Sequence, residues 1–135
     1  MVDGGWWIVD GGWGMAYQFP FEKLEAWQLT KDLVIKIYGF TRLFPESERF
    51  GLVSQIQRAA VSVASNLAEG ASRSSKKDQA HFSQIAYGSL TELLCQLIIA
   101  KELGYLPDDL LYGLRDNIEL IARKISALRK YQMEG

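Results

Sequence analysis

Nucleophiles and metal ligands are scarce in this sequence: among 135 residues there is one cysteine, Cys95, one histidine, His81, and three prolines. One Cys and one His leave no disulfide within the chain and no zinc constellation, so no metal and no cofactor are expected. No Ser or Cys nucleophile can be matched to a base and a positioned carboxylate, so no catalytic residue is assigned and the chain reads as non-enzymatic, without a small-molecule substrate. Cys95 sits among Leu93, Leu94, Leu97 and Ile98, which predicts a small buried hydrophobe. His81, next to Phe82, is expected at the surface or an interface. No apolar run approaches the roughly 20 residues of a membrane span. The basic start and apolar core of a secretory signal are missing too. The expectation is a cytoplasmic protein with no membrane partner.

Charge of one sign is lacking as well. Fifteen basic residues face sixteen acidic ones, a formal net charge of −1. Proteins that neutralise many phosphates usually show a basic excess, so any nucleic-acid contact here must rest on local clustering.

What the chain does have is helix signal. Its length fits one domain that can bury about two thirds of its unfolded surface without disulfides. A period-seven repeat opens it, Val2-Asp3-Gly4-Gly5-Trp6 and then Val9-Asp10-Gly11-Gly12-Trp13, followed by Met15. Residues 1–19 are therefore read as a Gly/Trp-rich extension and residues 20–135 as the domain. Two readings of the extension stay open. Either Trp-Trp-Ile-Val forms a short strand beside Trp13 in a small hairpin, or the native protein starts at Met15 and the repeat is a non-native or disordered upstream extension.

From residue 21 onward four helical segments separate at turn signals. The first is expected over 22–42, with Ala26, Thr30, Leu33, Ile37 and Phe40 on one face, and ends before Pro45. The second spans 47–69 and stops at Gly70 as a left-handed cap. The third opens at the Ser75-x-x-Asp78 start signal and runs to Leu103, capped by Gly104. The fourth begins near Pro107. Its Leu111, Leu114, Ile118, Ile121, Ile125 and Leu128 step three and four by turns, a coiled-coil-like seam. Short connections and helical periodicity predict an all-α, antiparallel, up-down-up-down four-helix bundle. Trp27, Tyr38, Tyr87, Leu90 and Leu94 are large residues beyond what one core needs, and they are assigned to an assembly surface.

The second segment carries an unusual second stripe: Gln55, Arg58, Ser62, Asn66 and Glu69, with no lysine. Solvated helix faces favour Lys and Glu over Ser and Asn, which compete for the backbone. Arg58, Ser62, Asn66, Glu69, Ser89 and Glu92 are therefore assigned to a polar network or a subunit interface. If the second and third helices are neighbours, Arg58 can pair with Glu92. The loop Arg73-Ser74-Ser75-Lys76-Lys77 is a dense basic cluster, and Arg73, Lys76 and Lys77 are the candidate nucleic-acid contacts. Arg123-Lys124 with Arg129-Lys130 form a second cluster, which the macrodipole at a helix C-terminus explains.

These residues resemble a known family. The resemblance rests on Phe21-Glu22, Leu24 and Trp27-Gln28, then Phe44-Pro45, Glu48, Phe50-Gly51-Leu52 and Ser54-Gln55. It continues through Arg58-Ala59-Ala60, Ser62, Asn66-Leu67-Ala68-Glu69-Gly70, Ile85-Ala86-Tyr87-Gly88-Ser89, Glu92 and Gly104-Tyr105. Over residues 20–130 the chain is similar to the four-helix-bundle proteins first noticed as products of intervening sequences in bacterial 23S ribosomal RNA genes. The resemblance implies an up-down bundle that assembles as a ring, typically a homopentamer, with no enzymatic activity assigned. A related branch, the accessory proteins of diversity-generating retroelements, binds a reverse transcriptase and nucleic acid through a strongly basic surface, which this chain's charge does not match. The leading expectation is an oligomeric adaptor, associated with RNA or DNA. The alternative is a protein-protein interaction module without nucleic-acid binding.

Overall fold

The computed structural model describes residues 6–9, 12–15 and 17–134. The expected extension over residues 1–19 therefore falls partly outside the described residues. Within it, β1 (Trp6–Val9) and β2 (Gly12–Met15) pair antiparallel, with Ile8 opposite Trp13, the hairpin that the Trp-rich repeat allowed. Four helices follow: α1 Glu25–Thr41, α2 Leu52–Ala71, α3 Lys76–Glu102 and α4 Asp108–Glu134.

Contacts of α3 with both of its neighbours run in opposite directions. Gly70 lies against Phe82 while Ser62 meets Ser89. On the other side of α3, Ser83 meets Gln132 while Lys101 reaches Asp108. Lys124 of α4 returns to Glu25 of α1 at 2.9 Å, while Asn117 of α4 stands beside Asp32 and Lys36 of α1. One residue number rises as its partner's falls, which makes the neighbours antiparallel and the topology up-down-up-down.

The core forms where the periodicity places it. Leu111, Leu114, Ile118, Ile121 and Ile125 are buried, and Leu128 is half-buried against them. They meet Leu33 and Ile37, Ile56, Val63 and Leu67, and Leu90, Leu93 and Leu97 from the other three helices. Thr30 and Thr41 can be buried because each hydroxyl donates to a carbonyl one turn back, at 2.7 and 2.8 Å.

Several helix boundaries and side-chain placements differ from the sequence expectation. The first helix starts at Glu25, because Pro20–Lys23 forms a separate 3₁₀ turn. The second starts at Leu52 rather than residue 47: Glu46–Glu48 is another 3₁₀ turn, and the Glu48 carboxylate accepts the Leu52 amide at 3.2 Å. Gly70 is not a left-handed cap. It lies inside α2, where an added Cβ would stand 2.9 Å from the Cβ of Phe82, so it is there for close approach. Gly104 does take φ +84. Its amide donates to Lys101 and that of Tyr105 to Ala100, the paired bonds of a Schellman end. Leu90 is a core residue and not surplus surface, because it shares the buried side of α3 with Ala86, Leu93 and Leu97. Cys95 is exposed, since two residues from either Leu93 or Leu97 is the opposite side of a helix.

The two loops at one end are tied together. Phe44 is buried 5.6 Å from the Tyr105 ring, and the Tyr105 hydroxyl donates to Glu48 at 3.1 Å. That bond to a carboxylate, aided by desolvation, raises the phenol above its ordinary pKa.

Gly70 and Gly113 separate two opposite effects. Alanine at Gly70 must displace Phe82, and overpacking of about 1–3 kcal/mol outweighs the roughly 1 kcal/mol of helix propensity gained. Nothing lies within 4 Å of a Cβ at Gly113. Thermal unfolding is expected at a lower midpoint for Gly70→Ala and a higher one for Gly113→Ala.

Candidate functional site

The polar stripe of α2 folds against α3 as a cleft. Ser62 and Ser89 hydroxyls share a hydrogen bond of 2.9 Å, and Asn66 donates to the Ser62 carbonyl at 2.8 Å and its hydroxyl at 3.1 Å. Small side chains at 62 and 89 let the two backbones approach, and their hydroxyls satisfy each other once there. Further along, Gln55, Arg58, Ser62, Glu92 and Gln96 line a groove of about 220 Å³. Arg58 and Glu92 face this groove without pairing to each other, contrary to expectation. Arg58 reaches Ser54 at 3.4 Å and Glu92 accepts from Gln96 at 3.4 Å, both long contacts. Gln96 is 7% exposed, and its Oε1 is buried with no partner. Val61, Ile85 and Ile99 leave exposed apolar surface on the same two helices.

Glu69 stands apart from the other stripe residues. It accepts from Arg73 at 2.8 Å, one helical turn on, and Arg73 also stacks 4.7 Å over the Phe82 ring. One of the three expected phosphate contacts is thus already engaged. Lys76 lies 4.1 Å from the centre of the Tyr131 ring. Lys77 is exposed and, with Lys76, lines a second groove of about 540 Å³ between the start of α3 and the end of α4. Arg129 of α4 lines it too, so the bundle joins two basic clusters that are far apart in sequence.

With this geometry in place, the sequence profile of the 23S rRNA-intervening sequence proteins matches residues 22–127, most of the chain. The protein belongs to that family. No curated protein matches it. Among solved structures it is similar to a protein of unknown function from the S23 ribosomal protein family of Bacteroides thetaiotaomicron VPI-5482, with a TM-score of 0.72 at 18% identity. That match covers 78% of this chain and 95% of the other, which shows a shared fold.

In this member of the 23S rRNA-intervening sequence family the expected site residues thus fall into two places. Arg58, Ser62, Asn66, Ser89 and Glu92 share the α2–α3 cleft, whereas Glu69 pairs with Arg73 beside the basic loop. Gln132 is the groove residue that the sequence patterns did not single out. No spacing within α4 marks it, because it gains its meaning from Ser83 of the facing helix.

The Ser62–Ser89 bond is the one direct side-chain hydrogen bond between α2 and α3, among the described residues. A double-mutant cycle with Ser62→Ala and Ser89→Ala should give a coupling of about 0.5–1.5 kcal/mol by denaturant unfolding. A coupling of zero would mean that the two hydroxyls act independently.

Proposed function

We propose that this protein is a non-enzymatic homo-oligomeric adaptor whose subunits meet through the α2–α3 face and whose basic ends meet RNA or DNA backbone. The observation that carries the reading is the cleft itself. A buried Gln96 oxygen without a partner, and an Arg58 and a Glu92 that face one groove unpaired, are groups that ordinarily find partners. The exposed Val61, Ile85 and Ile99 add apolar area of the kind that subunit contacts cover. A second copy offers both: its own Arg58 and Glu92 are charge-complementary to those on the first. A five-membered ring is the form that the family resemblance implies.

Assembly is what lets a chain of net charge −1 hold a polyanion. Repetition of Lys76 and Lys77 around a ring makes one modest cluster multivalent. The second reading, a protein-interaction module without nucleic acid, is favoured by the occupied state of Arg73 and Lys76, which already hold Glu69, Phe82 and Tyr131.

Light scattering at micromolar concentration is expected to find a multiple of the 15.3 kDa chain. Glu92→Arg, which leaves two cations in the cleft, should shift the mass toward the monomer with helicity unchanged. A parent protein that is already monomeric excludes the adaptor ring. For the nucleic-acid arm, Arg73, Lys76 and Lys77 changed together to Ala should abolish retention on RNA or heparin at about 50 mM salt, where phosphate contacts are strongest. Lack of retention by the parent protein under those conditions favours the second reading.

A further inference from the structure

The groove between α3 and α4 has a chemistry of its own, different from the polar cleft. Its volume of about 540 Å³ falls in the roughly 300–1,000 Å³ range of small-ligand sites. Lys76, Lys77 and Arg129 line it, and none of its lining residues is a carboxylate. The nearest acids in sequence, Asp78 and Glu134, are exposed and do not line it.

The uncharged groups also present donors. Ser75 caps α3 by accepting the Asp78 amide at 3.1 Å, so the Lys76 and Lys77 amides remain as first-turn donors without an acceptor inside the helix. Gln132 is 6% exposed and lines the groove. Its Oε1 accepts from the Ser83 hydroxyl at 2.7 Å, which leaves its amide N–H groups as the free half of a side chain held in one orientation. Arg129 is underused: its terminal nitrogen has only a 3.4 Å contact to Gln84, and its Nε is buried without a partner. The end of α4 brings carbonyls that repel an anion, and Arg129 offsets them at that end.

We infer that this groove is a phosphate-binding site. A phosphate group supplies acceptors for donors that converge from two helices. A modest rotation of Arg129 away from Gln84 would offer Nε and a terminal nitrogen to two of its oxygens, the fork geometry that guanidinium groups use with phosphate. Lys77 and the first-turn amides of α3 hold the other side. A flat carboxylate satisfies fewer of these donors. The site goes beyond the proposed surface contact with nucleic acid and does not require it, because the phosphate can come from a small monoester or from a phosphodiester backbone.

Titration of the full chain with inorganic phosphate, followed by amide NMR, tests the site. The expected result is a saturable shift confined to the first turn of α3, Gln132 and the Arg129 Nε resonance. Arg129→Gln and, separately, the exposed Lys77→Gln should each weaken binding about tenfold, the effect of losing one charge-assisted contact, while Arg115→Gln, at an exposed position near the start of α4 that does not line the groove, leaves it unchanged. Circular dichroism shows whether each variant is folded, and Arg129→Lys keeps the charge without the fork and should still bind more weakly than the parent. Sodium sulfate is a second oxyanion probe, and sodium chloride at matched ionic strength a control that should give no such shifts. Two competition arms separate the sources: a nucleoside monophosphate that displaces phosphate at lower concentration than an oligonucleotide indicates a small monoester, and the reverse order a backbone. Non-saturable shifts, shifts spread over all lysines, or an unchanged affinity in both Arg129→Gln and Lys77→Gln overturn the site. RNA retention without groove shifts likewise overturns it, yet leaves the adaptor reading standing. Phosphate binding without RNA retention does the opposite.

Discussion

The distance between α2 and α3 is the constraint on which most of the molecule depends. At one end of their contact a glycine hydrogen stands where any side chain would strike Phe82. Midway, two serine hydroxyls are hydrogen-bonded to each other at 2.9 Å. Larger residues at either place would separate the backbones and open the core that Val63 and Leu67 build with Ala86 and Leu90, and packed interiors lose stability when such gaps appear. Further along, the same two helices line the polar cleft, where the buried Gln96 leaves an oxygen unpartnered.

The fold was legible because it depends on periodicity, which a single chain carries in full. The Leu111 to Leu128 seam, the Ser75 cap and the Gly104 turn are all local, and the structure bears each of them out. Gly70 misled because the residue type has two uses, a left-handed turn and a close approach, and only the position of Phe82 decides between them. Cys95 misled because its neighbours in sequence are apolar while its direction on the helix is outward. The start of α2 was placed too early because Glu46 to Glu48 is helical in composition yet is a 3₁₀ turn that delivers the Glu48 carboxylate to the first amide of α2.

The candidate sites were half legible. The lysine-free stripe pointed to a surface packed against another helix or another subunit, since residues that resist a solvated helix face call for a neighbour, and in the structure its Ser62 meets Ser89 of α3. The pairing of Arg58 with Glu92 did not follow, because sharing a cleft fixes only proximity and not which rotamers meet. The basic clusters were read one at a time, as a loop and as a helix end. Antiparallel register joins them: if Ser83 faces Gln132 and Gln84 faces Arg129, residues near the start of α3 must stand beside the end of α4. Interactions of this kind are properties of a register, which sequence spacing within either helix does not encode.

An even number of antiparallel helices also fixes where the polypeptide comes and goes. The chain enters α1 and leaves α4 at the same end, beside the α2–α3 turn, while the end closed by Phe44, Tyr105 and Glu48 is made of connections alone. A fused partner, a purification handle or a fluorophore attached just beyond the end of α4 would therefore stand beside the Lys77–Arg129 groove, which Gln132 and Met133 line, and crowd it. Immobilising the molecule through the exposed Cys95, about two turns before the end of α3, would leave the Lys77–Arg129 groove clear.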